Sequence, residues 1–251
     1  MKKPLSANAL KLIALGAMTL DHIGLWGTEL TGSAWFLILR GIGRIAAPVF
    51  LFLLTESLRY TSSRLRLLLR LAAGAVLHAA VSAVLMELTD LRSWYGNIFF
   101  TLLLTGLAVC AFDAMREKRI LSVFGVAAAA VFADLLLTNI PLFPQLRLTL
   151  GSTEYSVLFA LMGLGWYVLA DRKRQMLFFM FICMLTAVVP ETAAAKLGFG
   201  QFFGTLQPLM ALAIPLLLCY DGTRGKSCKP LFYLYYPLHQ YALLVAGFFL
   251  A

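Results

Sequence analysis

Charged residues are scarce in this sequence. Asp, Glu, Lys and Arg make up 13% of its 251 residues, whereas 61% are hydrophobic, and an ordinary soluble domain carries roughly twice that share of charge. Apolar runs recur from one end of the chain to the other. The composition therefore excludes an ordinary soluble domain and predicts an all-α, polytopic helical membrane protein.

Patterns that hold metals or bind nucleotides are also missing. The four cysteines are scattered, with no CxxC pair and no His/Cys cluster, so neither a zinc site nor a disulfide framework is predicted. The sequence has no Walker A motif, no GxGxxG followed by an acidic residue and no HExxH. It has no nucleic-acid motif either, and basic residues in cytoplasmic loops explain the net charge of +9. We expect no metal and no nucleic-acid partner.

No internal repeat, low-complexity tract or long linker divides the chain. We therefore expect one integral membrane domain, residues 1–251, in contact with membrane lipid. The Met-Lys-Lys start resembles a signal peptide, but the apolar stretch after it lacks a small-residue cleavage site and is interpreted as a retained span. A spanning helix needs about 20 mostly apolar residues, which gives about nine spans. They are expected at residues 8–26, 34–58, 65–87, 97–113, 119–138, 154–171, 175–190, 202–220 and 231–250.

The loops between these spans differ in their content of Lys and Arg. One set of flanks holds 15 basic residues and the alternate set holds three, Arg92, Arg147 and Lys196. The bias alternates through all nine spans, as the preference of basic residues for the cytoplasmic side requires. The sequence therefore predicts a cytoplasmic N-terminus and an external C-terminus.

The first two spans carry ionisable residues where a membrane protein avoids them. Asp21 and His22 are adjacent in the first span, while Arg40 and Arg44 lie one helical turn apart in the second. Such residues are expensive at membrane depth and indicate a functional site by default. His22 is a candidate general base or nucleophile, although it is also possible that it is a buried histidine bonded to a neighbouring helix. Adjacent helical residues point about 100° apart, so Asp21 is not automatically its partner.

The two arginines allow two interpretations. Their planar forks suit a carboxylate or phosphate, as in an anion clamp or an oxyanion stabiliser. Alternatively they pair with acidic residues to neutralise the bundle, and Arg40 can also snorkel to the outer surface. Arg44 is therefore the stronger catalytic candidate. Pro48 is expected to bend this span.

Further candidates lie near the ends of other spans, and each has a structural alternative. Glu56 can pair with Arg59 near the inner surface. Asn97, Glu154 and Tyr155 begin helices on the outer side, where capping alone favours Asn and acidic residues. His239 follows a proline in an aromatic segment of the kind found at membrane boundaries. His78 has no acidic neighbour in sequence and is expected to be structural.

These residues make the sequence resemble the TraX family, named for the protein that acetylates the N-terminus of F pilin. The likeness rests on Asp-His-Ile-Gly within residues 11–24, Ile-Gly-Arg at 42–44 with 48–56, Asn-Ile-Phe-Phe-Thr at 97–101, and the Tyr-Pro-x-His segment at 233–239. Together these motifs extend over nearly the whole chain. The third span departs from the family pattern, because residues 77–82 replace a more polar stretch, and the role of His78 stays open.

The resemblance implies a bacterial inner-membrane acetyltransferase that takes an acetyl group from acetyl-CoA. The acceptor would be a peptide N-terminus, a glycan or a small amino or hydroxy compound. His22 would be the base or the acetyl carrier, and Asp21 and Arg44 would position it or neutralise charge. Donor-binding residues would be Glu56, Tyr236 and His239, and acceptor-binding residues would be Arg40, Asn97, Glu154 and Tyr155.

Two other classes of function compete with this interpretation. In a proton-coupled transporter, Asp21, His22, Arg44 and Glu56 would form a relay. Transporters often show internal pseudo-symmetry, but this sequence has no internal repeat, and nine spans divide badly into two halves. A purely structural subunit of a secretion or conjugation system would not need ionisable residues in so many spans.

Overall fold

Helices account for nearly all of the chain that the structure describes. The structure, a computed structural model, describes residues 4–26, 28–89, 97–118, 156–196, 200–226 and 229–250. Within these ranges there is no strand, and Leu5 and Tyr220 form an isolated β-bridge. The expected all-α class is confirmed for these residues. Their α-helices are α1 (Ala7–Trp26), α2 (Thr28–Gly43), α3 (Ala46–Tyr60), α4 (Arg64–Thr89), α5 (Ile98–Arg116), α6 (Ser156–Val168), α7 (Arg172–Val188), α8 (Glu191–Ala195), α9 (Ala213–Leu218) and α10 (Lys229–Leu250).

Most of the expected spans coincide with single helices. The first, third, fourth, sixth, seventh and ninth correspond to α1, α4, α5, α6, α7 and α10. The eighth, 202–220, is not one continuous helix, because two 3-10 helices, Gly200–Phe203 and Gln207–Leu212, precede the short α9. The fifth, 119–138, lies outside the described residues. The number of membrane crossings stays a prediction.

The second expected span is interrupted. Its helix ends at Gly43 and a new one begins at Ala46, with a tight turn in which the N–H of Arg44 donates to the carbonyl of Gly41 at 3.3 Å. The bend expected at Pro48 therefore lies one turn earlier. Pro48 occupies the first turn of α3, where a missing N–H costs little because that N–H would have no partner within the helix.

Three stretches of the described chain are long and apolar enough to cross a membrane, as in an integral membrane protein. They are Trp35–Tyr60, which contains the turn between α2 and α3, Arg64–Ser82 and Ile98–Arg116. Two shorter apolar stretches, Val157–Val168 and Gln207–Leu218, fall below spanning length. Mean hydropathy in the three long stretches runs from 1.5 to 2.0, which agrees with the sequence-based expectation of membrane helices.

The described chain folds as two units. The first takes its residues from 1–53, 169–193 and 203–251, and the second from 54–168 and 194–202. In the first unit α1 packs against both α2 and α10, and the 3-10 helix Gln207–Leu212 packs against α2 and α7. In the second unit α5 packs against α4 and α6. Helix α1 thus lies between α2 and α10 in the first unit.

A polar cluster joins α4, α5 and α6 to one another and to the end of α3. Arg64, at the start of α4, donates to a carboxylate oxygen of Asp113 at 2.7 Å, near the end of α5. The Tyr167 hydroxyl, near the end of α6, donates to the same oxygen at 2.6 Å. Arg59 donates to the backbone carbonyls of Trp166 and Tyr167. These contacts satisfy the helix ends and fix α4, α5 and α6 to one another.

The N-terminal residues of the first unit are bound to the segment that precedes α10. The Leu5 N–H donates to the Cys219 carbonyl at 3.1 Å, and the Asp221 N–H donates to the Leu5 carbonyl at 2.9 Å. The Ala7 N–H donates to the Thr223 carbonyl at 2.8 Å. These bonds pair the chain in parallel with residues more than 200 positions away and fix the entry into α1.

Gly225 is required for this pairing, and its replacement by alanine tests it. Its φ of 70° is left-handed, and a Cβ there would lie 2.4 Å from the Ser6 hydroxyl oxygen. Gly222, with φ of 84° and open space around it, is the matched control. Both substitutions carry the left-handed penalty of about 1–2 kcal/mol, and only Gly225→Ala adds a clash. Thermal melts in detergent are expected to show Gly225→Ala as clearly less stable, and equal melting temperatures would contradict the pairing.

Candidate functional site

Helix α1 directs two adjacent polar side chains towards different partners. Asp21 and His22 are each 6% exposed, so both must find hydrogen-bond partners inside the protein. Because neighbouring residues of a helix point about 100° apart, one reaches α2 and the turn that follows it, and the other reaches α10. The structure confirms that the Asp21 carboxylate is bonded elsewhere than to the His22 ring.

Asp21 is held between two arginines. Its Oδ2 accepts from Nη1 of Arg40 at 2.5 Å, and its Oδ1 accepts from Nη2 of Arg44 at 2.7 Å. The Asp21 side chain is 8% exposed, against 21% for Arg40 and 10% for Arg44. Charge-assisted bonds of this kind are stronger than neutral ones. In these two ion pairs one carboxylate is shared by two guanidinium groups.

Arg44 makes further contacts that fix it in place. Its Nε donates to the Arg40 carbonyl at 3.3 Å, and its Nη1 lies 3.5 Å from the amide oxygen of Gln207. Gln207 is 2% exposed and belongs to the 3-10 helix of this unit. The arrangement matches the structural alternative, in which both arginines neutralise Asp21. A catalytic role for Arg44, and an acceptor-binding role for Arg40, stay predictions.

Gly43 lets the end of α2 approach Asp21. A Cβ at this position would lie 2.2 Å from the Cβ of Asp21 and 2.3 Å from its Oδ1. No side chain larger than hydrogen fits there without moving α1 or α2. The Gly-Arg pair at 43–44 therefore combines a close approach of the backbone with the cation that binds the carboxylate.

His22 forms a buried pair with His239 of α10. Nδ1 of His22 lies 2.6 Å from Nε2 of His239, and the two rings stack with centroids 4.8 Å apart. His239 is 8% exposed, and its Nδ1 lies 2.8 Å from the carbonyl oxygen of Tyr235, one turn earlier. The structure thus brings together two histidines that are separated by 217 residues in the sequence.

Four further side chains of α1 and α10 complete this histidine cluster. Nε2 of Gln240 lies 3.3 Å from Nε2 of His22 and 3.4 Å from the Tyr236 hydroxyl. The Tyr235 ring stacks on His239, with centroids 5.1 Å apart. The Tyr235 hydroxyl lies 2.7 Å from the hydroxyl of Thr19. Because Thr19 donates its own proton to the Leu15 carbonyl, Tyr235 is the donor in that contact.

Sequence reasoning predicted His22, Tyr236 and His239 but not the rest of this cluster. Gln240 of this cluster and Gln207 beside Arg44 were both missed, because glutamine is uncharged and neither residue belongs to a recognised motif. The signal that was available is the spacing on α10, where residues 235 and 239, and residues 236 and 240, lie one turn apart. A single helix can therefore present all four side chains to the same neighbour.

Other expected site residues have structural contacts of their own in the second unit. Glu56 pairs with Arg59 at 3.6 Å, as the alternative interpretation held. Asn97 caps α5 by accepting from the Phe100 N–H at 3.3 Å, and its amide donates to the Ala75 carbonyl at 2.9 Å. Glu154 and Tyr155 lie outside the described residues. Their binding roles stay predictions.

Comparisons with known proteins place the chain in a family. A family model described as TraX protein matches residues 6–246. The probable fimbrial assembly protein FimC, serogroup H1, of Dichelobacter nodosus is 28% identical over 265 residues, which cover 98% of this chain and 97% of that protein. No solved structure matches the chain significantly. The family match includes every residue of the Asp21 and His22 clusters.

Gly43→Ala tests whether the close approach of α2 to Asp21 holds the ion cluster together. Forcing a methyl group into this contact is expected to cost about 1–3 kcal/mol, seen as a lower melting temperature in detergent. Gly16→Ala is the matched control, because it lies within α1 with nothing within 4 Å of its added Cβ. Alanine is favoured over glycine inside a helix by about 1 kcal/mol, so the control is expected to hold or raise stability. A Gly43→Ala protein as stable as Gly16→Ala would contradict this packing.

Proposed function

The chain belongs to the TraX family, and from this premise we propose that it is an integral membrane acetyltransferase. It would move an acetyl group from acetyl-CoA to an acceptor, with His22 as general base or acetyl carrier. The observation that carries the proposal is the buried contact between His22 and His239. Acetyl transfer needs a nucleophile or base whose lone pair is held in a fixed direction, and this pair supplies one.

The arrangement around His22 suits acetyl transfer better than a proton relay. Both carboxylate oxygens of Asp21 are bonded to guanidinium groups, so Asp21 is not placed to exchange a proton with His22. Its ion cluster holds α1 against α2 instead. This supports the acetyltransferase over the proton-coupled transporter, in which Asp21 and His22 would act in sequence.

Acetyl-CoA is the proposed donor, and two of the three expected donor-binding residues lie beside His22. Tyr236 and His239 lie on α10, as does Gln240. The Tyr236 hydroxyl and the Gln240 amide are polar groups of the kind that bind a thioester carbonyl. The third, Glu56, is paired with Arg59 in the other unit. In the transfer the carbon–sulfur bond of the thioester breaks, coenzyme A leaves as a thiol after gaining a proton, and the acetyl carbon bonds to the acceptor nitrogen or oxygen.

The acceptor is proposed at the level of chemical class. The matched relative from Dichelobacter nodosus is named as a fimbrial assembly protein, which supports a peptide N-terminus of a surface-fibre subunit as one acceptor. The other two proposed acceptors are an envelope glycan and a small amino or hydroxy compound. The enzyme would lie in the bacterial inner membrane, in contact with lipid.

Acetyl-CoA turnover by detergent-purified protein tests the activity. Wild type is expected to transfer or hydrolyse labelled acetyl groups, and His22→Ala is expected to lose about 100-fold or more, the usual contribution of a general base. His78→Ala is the control, because His78 is a buried histidine of the second unit with no expected role in the reaction. Thermal melts check that each variant is folded. A wild-type protein that neither consumes acetyl-CoA nor melts at a higher temperature with it would favour the transporter.

Reporter fusions test the proposed topology. With nine spans and a cytoplasmic N-terminus, alkaline phosphatase fused after residue 251 is expected to be active outside the inner membrane. A fluorescent protein that matures only in the cytoplasm is expected to stay dark there and to fluoresce when fused at residue 1. The opposite pattern at the C-terminus would require an even number of crossings.

A further inference from the structure

The hydrogen bonds around His239 determine where its proton lies. A backbone carbonyl oxygen can only accept, so Nδ1 of His239, 2.8 Å from the Tyr235 carbonyl, must carry a hydrogen. A neutral imidazole carries one hydrogen. When this ring is neutral, Nε2 of His239 therefore carries no hydrogen, and its lone pair can only accept a hydrogen bond.

The same reasoning passes on to His22. Its Nδ1 lies 2.6 Å from the Nε2 of His239, so His22 must be the donor in that contact. Neutral His22 then carries its hydrogen on Nδ1 and its lone pair on Nε2. The amide group of Gln240, with Nε2 3.3 Å from that lone pair, is the donor that meets it. One backbone carbonyl thus sets the tautomer of two rings in turn.

Gln240 has an unused acceptor at this position. It is 4% exposed, and its Oε1 has no hydrogen-bond partner in the part of the chain that the structure describes. A buried oxygen without a partner costs about 1–3 kcal/mol. Half a turn of the carboxamide exchanges its oxygen and nitrogen, and the oxygen then accepts from a hydrogen on Nε2 of His22. Gln240 is therefore able to serve this nitrogen both before and after it gains a proton.

We propose that His239 and Gln240 are positioning residues that make Nε2 of His22 its reactive nitrogen. His239 fixes the tautomer from the Nδ1 side, and Gln240 holds Nε2 in both of its protonation states. This inference rests on the proposed function, in which His22 does the chemistry.

The proposal defines the steps of both branches of the reaction. If His22 is the base, Nε2 takes the acceptor's proton while the acceptor nitrogen or oxygen bonds to the acetyl carbon and the carbon–sulfur bond breaks. The new N–H of His22 donates a hydrogen bond to Oε1 of Gln240 until the coenzyme A thiolate takes the proton and leaves as a thiol. If His22 carries the acetyl group, Nε2 bonds to the acetyl carbon as the carbon–sulfur bond breaks and coenzyme A leaves as a thiolate. The Nδ1 hydrogen of His22 then passes to Nε2 of His239, which leaves a neutral acetylimidazole, and the thiolate takes this proton and leaves as a thiol. In the second step the acceptor nitrogen or oxygen bonds to the acetyl carbon, the bond from that carbon to Nε2 of His22 breaks, and the acceptor's proton returns to Nδ1 of His22.

Nitrogen NMR of the full-length protein in detergent tests the assignment without any acetyl donor. The chain has three histidines, so ¹⁵N-histidine labelling gives three rings, assigned by single replacement of each with glutamine. Long-range nitrogen–proton correlations distinguish a hydrogen on Nδ1 from one on Nε2. Wild-type His22 and His239 are both expected to carry it on Nδ1. A free imidazole in water favours Nε2, so finding His22 in that form overturns the proposal.

Two variants separate positioning from mere packing. His239→Phe keeps an aromatic ring but removes the acceptor, so His22 is expected to shift its hydrogen towards Nε2. Gln240→Leu removes the amide at similar size, and the Nε2 resonance of His22 is expected to move while the hydrogen stays on Nδ1. His78→Gln is the control and leaves both His22 resonances unchanged. An unchanged His22 spectrum in Gln240→Leu overturns the role of Gln240, and the wild-type spectrum decides the role of His239 even if His239→Phe does not fold.

The outcomes also separate this inference from the proposed function. If the wild-type tautomers are as expected but the protein does not use acetyl-CoA, the assignment stands and the acetyltransferase proposal fails. If acetyl transfer occurs while His22 carries its hydrogen on Nε2, the activity stands and the positioning roles fail.

Discussion

Satisfying two adjacent buried polar side chains on α1 is the constraint on which the first unit depends. Asp21 cannot remain in an apolar bundle without cations, and His22 cannot remain there without hydrogen-bond partners. Because the two residues point in different directions, α2 with the turn after it must supply the arginines on one side, and α10 must supply the histidine on the other. Removing one partner of a buried ion pair costs about 3–5 kcal/mol, which is a large part of the stability of a typical domain.

The two clusters on either side of α1 differ in the kinds of side chain that they contain. Asp21 is bonded to two arginines, and Gly43 allows the backbone of α2 to approach it closely. Both carboxylate oxygens of Asp21 are therefore already bonded to guanidinium groups. The hydrogen-bond contacts described above for His22 are with His239 and Gln240, and neither of these is a carboxylate. A neutral, buried imidazole keeps its nucleophilic lone pair, whereas an adjacent carboxylate would favour its protonation.

Much of the fold was predictable because the membrane imposes simple rules on sequence. Hydrophobic length located most of the helices, and the charges of Arg40 and Arg44 predicted acidic partners. That both arginines share the carboxylate of Asp21 was not predicted, because several acidic residues were possible partners. The turn at Arg44 was missed because apolar residues continue through it and hydropathy does not register a broken backbone ladder. Hydrophobic periodicity predicts which face of a helix is buried but not which other helix packs on that face. The pairing of His22 with His239 was therefore not predictable from it. Gln240 was not predicted, because it is uncharged and belongs to no recognised motif.

The sequence separations within the two clusters have a consequence for synthesis of the protein. Arg40 and Arg44 follow Asp21 by 19 and 23 residues, so the ion pairs can form as soon as the first helical hairpin leaves the ribosome. His239 follows His22 by 217 residues, and the segment that holds the N-terminus in place ends just before α10. A nascent chain can therefore form the Asp21 ion pairs early, whereas the contact between His22 and His239 has to wait for more than 200 further residues. A chain that stops before α10 would keep the ion pairs between α1 and its neighbour but lose the contact between His22 and His239.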